Sequence, residues 1–402
     1  MSDFLQNGVI TTLHRLRDQP VEQLESELVA FSGRRPMALI LPCLYSELEG
    51  PAMPHIVDEL AKVPYLEQIV VGLDRASPAE FDKARKFFSR LPQDVSILWN
   101  DGPRLQAIDR QLSEAGLAPR QLGKGRNVWY CMGHVLACDR VAAVALHDCD
   151  ILTYKREIPA RLLYPLVHPR FNYTFCKGYY ARVTEEKLNG RVTRLFYTPM
   201  VKALTRIIGH VDYLEFLASF RYALSGEFAM QTEVVREIRI PSDWGLEVGV
   251  LSEVYRNYSN KRICQVDIAD HYDHKHQPLS AGDPDLGLSR MSRDIAKSIY
   301  RKLATQGITF SNEFFRTIKA TYFRTALDYV EHYAAEAAIN GLSFDRHAEE
   351  EAIEVFVQSI IDAGQDFLAN PLEAPFIPNW NRVVSALPEV GGALIDAVRA
   401  DA

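Results

Sequence analysis

Four short, uninterrupted apolar runs, with segments of helical spacing between them, constrain this chain more than any other feature. The runs are Pro36-Met-Ala-Leu-Ile-Leu-Pro42, Gln68–Leu73, Val95–Trp99 and Val141–Leu146. Continuous apolar runs of this length are the mark of strands buried on both faces. Between them, helical periodicity appears around 53–63, 78–90, 103–115 and 124–139. Strands alternating with helices of this length predict an α/β fold, a parallel sheet covered by helices on both faces. Such a sheet binds its ligand beyond the carboxyl ends of the strands. Three of the four runs end in polar or charged residues: Glu47 and Glu49, then Asp74 and Arg75, then Asp148 and Asp150. The pattern predicts a nucleotide-type crevice.

The rest of the chain is organised differently. Residues 1–34 read as a helical N-terminal segment, with Leu13, Leu16, Val21, Leu24 and Leu28 at helical spacing. The nucleotide-binding half spans 35–150 and a less regular second half spans 151–285, with strands expected at Tyr173–Tyr180 and Arg262–Val266 and helices near 196–222 and 245–257. From 286 to 402 no strand is evident, and 286–305, 312–341 and 344–369 all read as helices. With 402 residues, one large or two intimately joined domains are expected.

Charge and cysteine usage narrow the function. A net charge of -7 gives no electrostatic footprint for nucleic acid. No apolar stretch approaches the ~20 residues of a membrane span, and the first residues do not resemble a secretory leader. The six cysteines sit singly, with no Cys-x-x-Cys pair, and so read as reduced thiols in a cytoplasmic protein.

The sharpest motif is Leu146-His147-Asp148-Cys149-Asp150 at the end of the fourth run. Two carboxylates two residues apart can share one hard cation whose other ligands are phosphate oxygens. Such a cation neutralises a departing diphosphate. Asp-x-Asp also caps helices and fills turns, and it is the position at a strand end that favours chemistry. Gly123-Lys124-Gly125-Arg126, just before a helix, offers a close backbone approach, a lysine for phosphate and a helix N-terminus. It is neither a Walker motif nor GxGxxG, and such turns are commonly plain solvated loops. Three histidines, His271, His274 and His276, fall within six residues, and one imidazole there is a candidate metal ligand. Gly190-Arg191-Val192-Thr193 supplies backbone N–H groups, a hydroxyl and a forked guanidinium suited to phosphate or carboxylate, although a turn opening an exposed helix reads the same. Glu227 and Glu247 are carboxylates in apolar surroundings.

Together and in order these residues resemble the glucosyl-3-phosphoglycerate synthases, retaining glycosyltransferases of the GT-A fold, over about residues 41–305. The resemblance implies a Rossmann-like nucleotide-binding sheet fused to an acceptor-binding half, with helical extensions at both ends. It implies nucleotide-sugar contacts at Pro42, Cys43, Leu44, Glu47, Asp74, Ser77, Lys124 and Asp148. Mg²⁺ (or Mn²⁺) would be held by Asp148, Asp150 and His274. The acceptor would lie on Gly190, Arg191, Val192 and Thr193, with His276 where the family has an asparagine. Asp150 and Glu247 are the implied catalytic residues, Glu247 orienting the acceptor. The implied reaction moves glucose from an NDP-glucose to the 2-hydroxyl of 3-phosphoglycerate. Separately, the many apolar helical positions of residues 312–369 predict that the tail buries one face on the catalytic domain and contributes another to a homodimer. Ser225-Gly226-Glu227 and Met291-Ser292-Arg293 also fit the family pattern, while the helical tail past 305 is longer than the pattern requires. Competing readings are a transferase using glycerate, another small acceptor or NDP-mannose, a nucleotidyltransferase, and a non-catalytic sugar-nucleotide-binding protein.

Overall fold

The computed structural model describes residues 6, 8–184, 186–243, 245–270, 272–273, 287–371 and 376–402. Eight strands form one sheet: β1 (Thr11–Leu13), β2 (Met37–Leu44), β3 (Leu66–Asp74), β4 (Asp94–Trp99), β5 (Ala143–Leu146), β6 (Phe175–Tyr180), β7 (Phe228–Gln231) and β8 (Ile263–Ala269). Their order is β1-β8-β6-β7-β5-β2-β3-β4. All pairings are parallel except those of β7, which runs against β5 and β6. The four apolar runs form β2, β3, β4 and β5, side by side as a parallel block. Every residue of β5 is buried, as its sequence requires of a strand covered on both faces.

Helices Ala52–Leu60, Pro78–Phe88, Pro103–Glu114 and Lys124–Cys138 form where the periodicity predicts, the last two both between β4 and β5. Two strands escaped the sequence reading. The N-terminal segment is not wholly helical: Thr11–Leu13 pairs with Cys264–Val266 as an edge strand, and only Val21–Ser32 forms a regular helix. Three residues are too few for strand alternation to show, and the pairing partner lies some 250 residues away. β7, with four residues, is nearly as short.

That antiparallel strand decides where the site forms. Because β7 runs against β5, Leu146 pairs with Phe228, so the start of β7 lies beside the end of β5. The residues just before Phe228 therefore meet the residues just after Leu146. Glu227 is brought to Asp148 by register alone.

The helical tail packs on both halves. Helix Gly287–Ala304 lies against Arg346–Ala369, and helix Asn312–Ile339 lies against both Arg346–Ala369 and Thr198–Ile208. At the far end, Trp380 stacks on Trp129 of the helix Lys124–Cys138 at 4.3 Å. The two indoles exchange places in hydrogen bonding: Trp380 Nε1 donates to the Trp129 carbonyl and Trp129 Nε1 to the Pro378 carbonyl, at 3.0 and 2.8 Å. Val330, Ile353 and Val357 of the tail are buried.

Candidate active site

Lys124 is the first residue of its helix, so its side chain leaves from the end where backbone N–H groups point outward. Its Nζ lies 2.5 Å from Asp148 Oδ1 and 3.1 Å from Glu247 Oε1. Glu247 arrives in the first turn of the helix Leu246–Asn257. Burial works against the lysine's charge, but the carboxylates of Asp148 and Glu247 outweigh it and hold the ammonium well above its usual pKa.

Beneath this trio lies a second, fully buried layer. Glu227 Oε2 accepts from Tyr180 Oη at 2.7 Å and Ser225 Oγ at 3.1 Å, and the Tyr272 hydroxyl also bonds to the carboxylate. The Asp148 backbone N–H points at Glu227 Oε1, 3.5 Å away. Burial, and then the Asp148 charge, raise the Glu227 pKa. Tyr180 and Tyr272 stack with centroids 3.6 Å apart, which fixes the hydroxyls. Gly226 is required here by space: a Cβ would fall 2.3 Å from Asp148 Oδ2. Lys177 is buried completely in β6, where its Nζ donates to the Ser225 carbonyl at 2.6 Å. Burial lowers its pKa to about 8, against the pull of Glu247 and Glu227.

The neighbouring strand ends are tied to the same helix. Asp74 ends β3 and pairs in register with Leu44, the end of β2. Its carboxylate accepts from Asn100 Nδ2 at 2.7 Å and from Asn127 Nδ2 at 2.9 Å, so the helix carrying Lys124 is fastened to the β3 end. Burial raises the Asp74 pKa against these hydrogen bonds. Pro42, Cys43 and Leu44 line the β2 end; the Cys43 side chain is buried, with its thiol 3.2 Å from the Leu44 carbonyl. Glu47 lies in the helical turn Tyr45–Leu48. Ser77 has a structural task, closing a capping box with Glu80 at the start of helix Pro78–Phe88.

The Gly190-Arg191-Val192-Thr193 motif is not a solvated loop. Gly190, at φ 77°, turns the chain into a helix, and Val192–Tyr197 is a largely buried π-helical turn running into Thr198–Ile208. Arg191 Nε and Arg194 Nη2 both bond to Glu349, at 2.8 and 2.9 Å. Glu349 is buried and comes from the tail helix Arg346–Ala369. The Thr193 hydroxyl bonds to Tyr222, whose Oη also accepts from Arg182 at 3.3 Å.

The structure thus brings Lys124, Asp148 and Glu247 into contact, with Glu227 directly behind, and sets Leu44 and Asp74 along the same sheet edge. His274 and His276 lie outside the described residues. Asp273 is held against the turn after the Asp-x-Asp motif, its carbonyl accepting from Leu152 N at 2.8 Å and its N–H donating to Thr153 Oγ1 at 3.1 Å. The sequence reading passed over Lys177 and the tyrosine pair, and did not place Glu227 among the site residues. A lysine inside the apolar run Phe-Cys-Lys-Gly-Tyr-Tyr was the available signal, since a charge is seldom buried without a function or partner.

Three carboxylates, Asp148, Glu227 and Glu247, stand here against two ammonium groups, Lys124 and Lys177, and Asp150 follows Asp148 by two residues. This hard-oxygen, net-negative donor set suits a small divalent cation. Among the described residues, the one trio of metal-type ligands already converged is His210, Asp212 and Glu215, all exposed and with their own salt bridges.

No protein-family model matches the chain. Curated relatives do. The chain is 53% identical over 401 residues to the glucosyl-3-phosphoglycerate synthase of Persephonella marina, covering 100% of this chain and 99% of that one. It is 37% identical over 406 residues to that of Methanococcoides burtonii, covering 99% and 98%. The helical tail is therefore shared with these relatives. Among solved structures, the Mycobacterium tuberculosis glucosyl-3-phosphoglycerate synthase in complex with Mn²⁺, UDP-glucose and phosphoglyceric acid superposes with a TM-score of 0.54 at 23% identity, covering 75% of this chain and 89% of that one. The likeness establishes a GT-A-like fold.

Proposed function

The chain belongs to the glucosyl-3-phosphoglycerate synthases, and from that premise we propose how its residues divide the transfer of glucose from an NDP-glucose to 3-phosphoglycerate. The observation that carries the assignment is the convergence of Lys124, Asp148 and Glu247 at the β5 end, with Glu227 behind them. The donor lies along Pro42, Cys43, Leu44, Glu47 and Asp74, with the Lys124 ammonium and the helix N-terminus facing its diphosphate. Cys43 and Pro42 contribute backbone only, and Ser77 meets the nucleotide from its cap position.

Asp148 and Asp150 would hold Mg²⁺ or Mn²⁺, with His274 as the third protein ligand; a relative's crystals contain Mn²⁺ with UDP-glucose. The cation would supply charge neutralisation for the departing diphosphate. With Asp148 engaged in holding the cation, the Lys124 ammonium would be left to face phosphate. Arg191 and Thr193 take the acceptor's phosphate, with Gly190, Val192 and His276 beside them, and Glu247 orients its 2-hydroxyl. The anomeric carbon loses the diphosphate oxygen and gains the acceptor oxygen on the same face. The hydroxyl proton passes to the departing phosphate oxygen, which gives retention without a covalent enzyme intermediate. Lys177 and Glu227 set the charge of the floor on which this happens.

Two finer points belong to the same proposal. The enzyme works as a homodimer in the cytoplasm, using tail surface around the exposed Phe323 and Ile339. Light scattering at micromolar concentration checks the oligomer, and a monomer defeats it. Among the described residues no helix is long and apolar enough to cross a membrane.

The decisive experiment incubates the protein and Mg²⁺ with UDP-, GDP- and ADP-glucose and GDP-mannose, with 3-phosphoglycerate, glycerate or no acceptor. NDP release together with an α-configured glucosyl-3-phosphoglycerate supports the reading. Product with glycerate alone, or with mannose alone, overturns the acceptor or sugar assignment.

A further inference from the structure

A cavity of about 870 Å³ lies between the chain following helix Pro103–Glu114, helix Gly287–Ala304 and the start of helix Trp380–Ala386, and none of Lys124, Asp148 or Glu247 lines it. Six cations line it: Arg120, Arg290, Arg293, Lys297, Arg301 and Arg382. Four of these recur at 290, 293, 297 and 301, which is one face of a single helix. Three carboxylates oppose them. Asp366 meets Arg293 at 2.7 Å, Asp294 meets Lys297 at 3.0 Å, and Asp243 lies in the wall. Three positive charges remain in excess, in a protein whose net charge is -7.

Clustering like charges is costly. Like charges held close together repel one another, most strongly where water is partly excluded. A concave wall of one sign focuses the field into the cavity and draws counter-ions. The residues also differ in availability. Arg293 and Lys297 form a half-buried floor fixed by Asp366 and Asp294, whereas Arg120, Arg290 and Arg382 stand exposed at the rim. Guanidinium forks match phosphate oxygens in pairs. On another side Phe376, Ile377 and Pro378 offer an apolar surface. The cavity therefore combines a multiply charged anion pole with room for an organic body, at a volume typical of small-molecule sites.

We propose that this cavity is a second ligand site, distinct from the donor and acceptor positions, that takes a small phosphate ester carrying two or more negative charges. Its wall is built by Ser242 and Asp243, and Asp243 Oδ1 accepts from Gly245 N at 2.9 Å, two residues before Glu247. An occupant thus borders the segment that delivers Glu247 to Lys124.

Isothermal titration calorimetry of the full chain without divalent metal tests this, with inorganic pyrophosphate as the anion alone and ADP as the same anion with an organic body. Both should bind, ADP more tightly. Arg382→Ala and Arg290→Ala, at exposed rim positions, should each weaken binding by about tenfold or more, while Lys124→Ala leaves that isotherm unchanged. No binding at millimolar probe overturns the proposal. So does wild-type affinity in both rim variants, and so does loss of the isotherm in Lys124→Ala, which would place the probe in the donor crevice instead.

Discussion

The two halves of the proposed active site are held by different means. On the donor side, Lys124, Asp148, Asp74 and Leu44 sit at ends of strands and at the start of a helix, within one block of parallel strands. Their positions follow from register, and the partners that fix Asp74 come from the same block. On the acceptor side, Arg191 and Thr193 sit on a π-helical turn whose arginines are braced by Glu349, 158 residues further along the chain from Arg191. Tyr322 and Tyr333 of the tail add to the brace: Tyr322 Oη donates to the Leu195 carbonyl at 2.7 Å, and the Arg194 guanidinium lies 4.8 Å from the Tyr333 ring centre. The donor side is set by the sheet, and the acceptor side is set by the tail. Failure should therefore take different forms on the two sides.

The largest effect is expected where the donor side meets the metal. Asp148→Asn and Asp150→Asn keep the side-chain shape but remove charge facing the cation, so kcat should fall by about a hundredfold or more. EDTA should do the same to the wild type, reversibly on adding Mg²⁺ or Mn²⁺. Calorimetric binding of 3-phosphoglycerate should survive in both variants. If acceptor binding collapses as well, the two sides are not separable and the comparison fails.

Next comes the brace. Glu349→Gln leaves two guanidinium groups beside a neutral amide, and removing one member of a buried pair destabilises by about 3–5 kcal/mol. The variant should melt at a lower temperature. Below that temperature, the KM for 3-phosphoglycerate should rise by about tenfold to a hundredfold, the range of one charge-assisted hydrogen bond, with the donor KM steady. Glu349→Asp should recover part of it. A lower melting temperature with unaltered KM values would reduce Glu349 to a purely structural ion pair.

The same contrast explains what could be read before the structure was known. Asp148 was legible because its motif ends an apolar run, which is where a parallel sheet binds ligands, and Lys124 because its glycine-flanked motif opens a helix. Helices Pro78–Phe88 and Lys124–Cys138 were legible from spacing alone. Glu349 was not, because a surface-like run of Arg-His-Ala-Glu-Glu-Glu carries no mark of which glutamate turns inward. β7 was hidden by its brevity, and with it the reason Glu227 meets Asp148. Lys177 was visible only as an anomaly, one charge in a strand otherwise ready to be buried. Arg191 and Thr193 were found as a motif, but their helical setting was not, since Gly190 reads equally as a turn.

Arg191→Ala and Thr193→Ala sharpen the comparison further. Each should raise the KM for 3-phosphoglycerate by about tenfold to a hundredfold while leaving donor affinity and slow donor hydrolysis in place. If Glu349 acts through Arg191, the double variant Arg191→Ala/Glu349→Gln should be no worse than Arg191→Ala in acceptor KM. Additive losses would mean that the tail positions something other than this arginine. Equal weakening of donor and acceptor would place the turn on the nucleotide.

The smallest effect concerns pH and belongs to the floor shared by both sides. Lys177 has its pKa lowered by burial to about 8 in the folded chain, against an ordinary lysine value of 10.5. Below pH 8 its ammonium offsets part of the negative charge of Glu227 and Glu247; above it, that offset is lost and the crevice repels a diphosphate more strongly. The kcat/KM for the donor, which reports the free enzyme, should decline through a basic limb centred near pH 8. Stability should move the other way. The folded pKa lies below the unfolded one, so between pH 8 and 10.5 the unfolded chain binds the extra proton and this group's contribution rises with pH. Lys177→Met removes the titrating group, and its profile should lack the limb while its acceptor KM stays near that of the wild type. A limb that persists unchanged in Lys177→Met would assign the titration to another residue, and a change confined to the acceptor KM would move Lys177 from the shared floor to the tail-braced side.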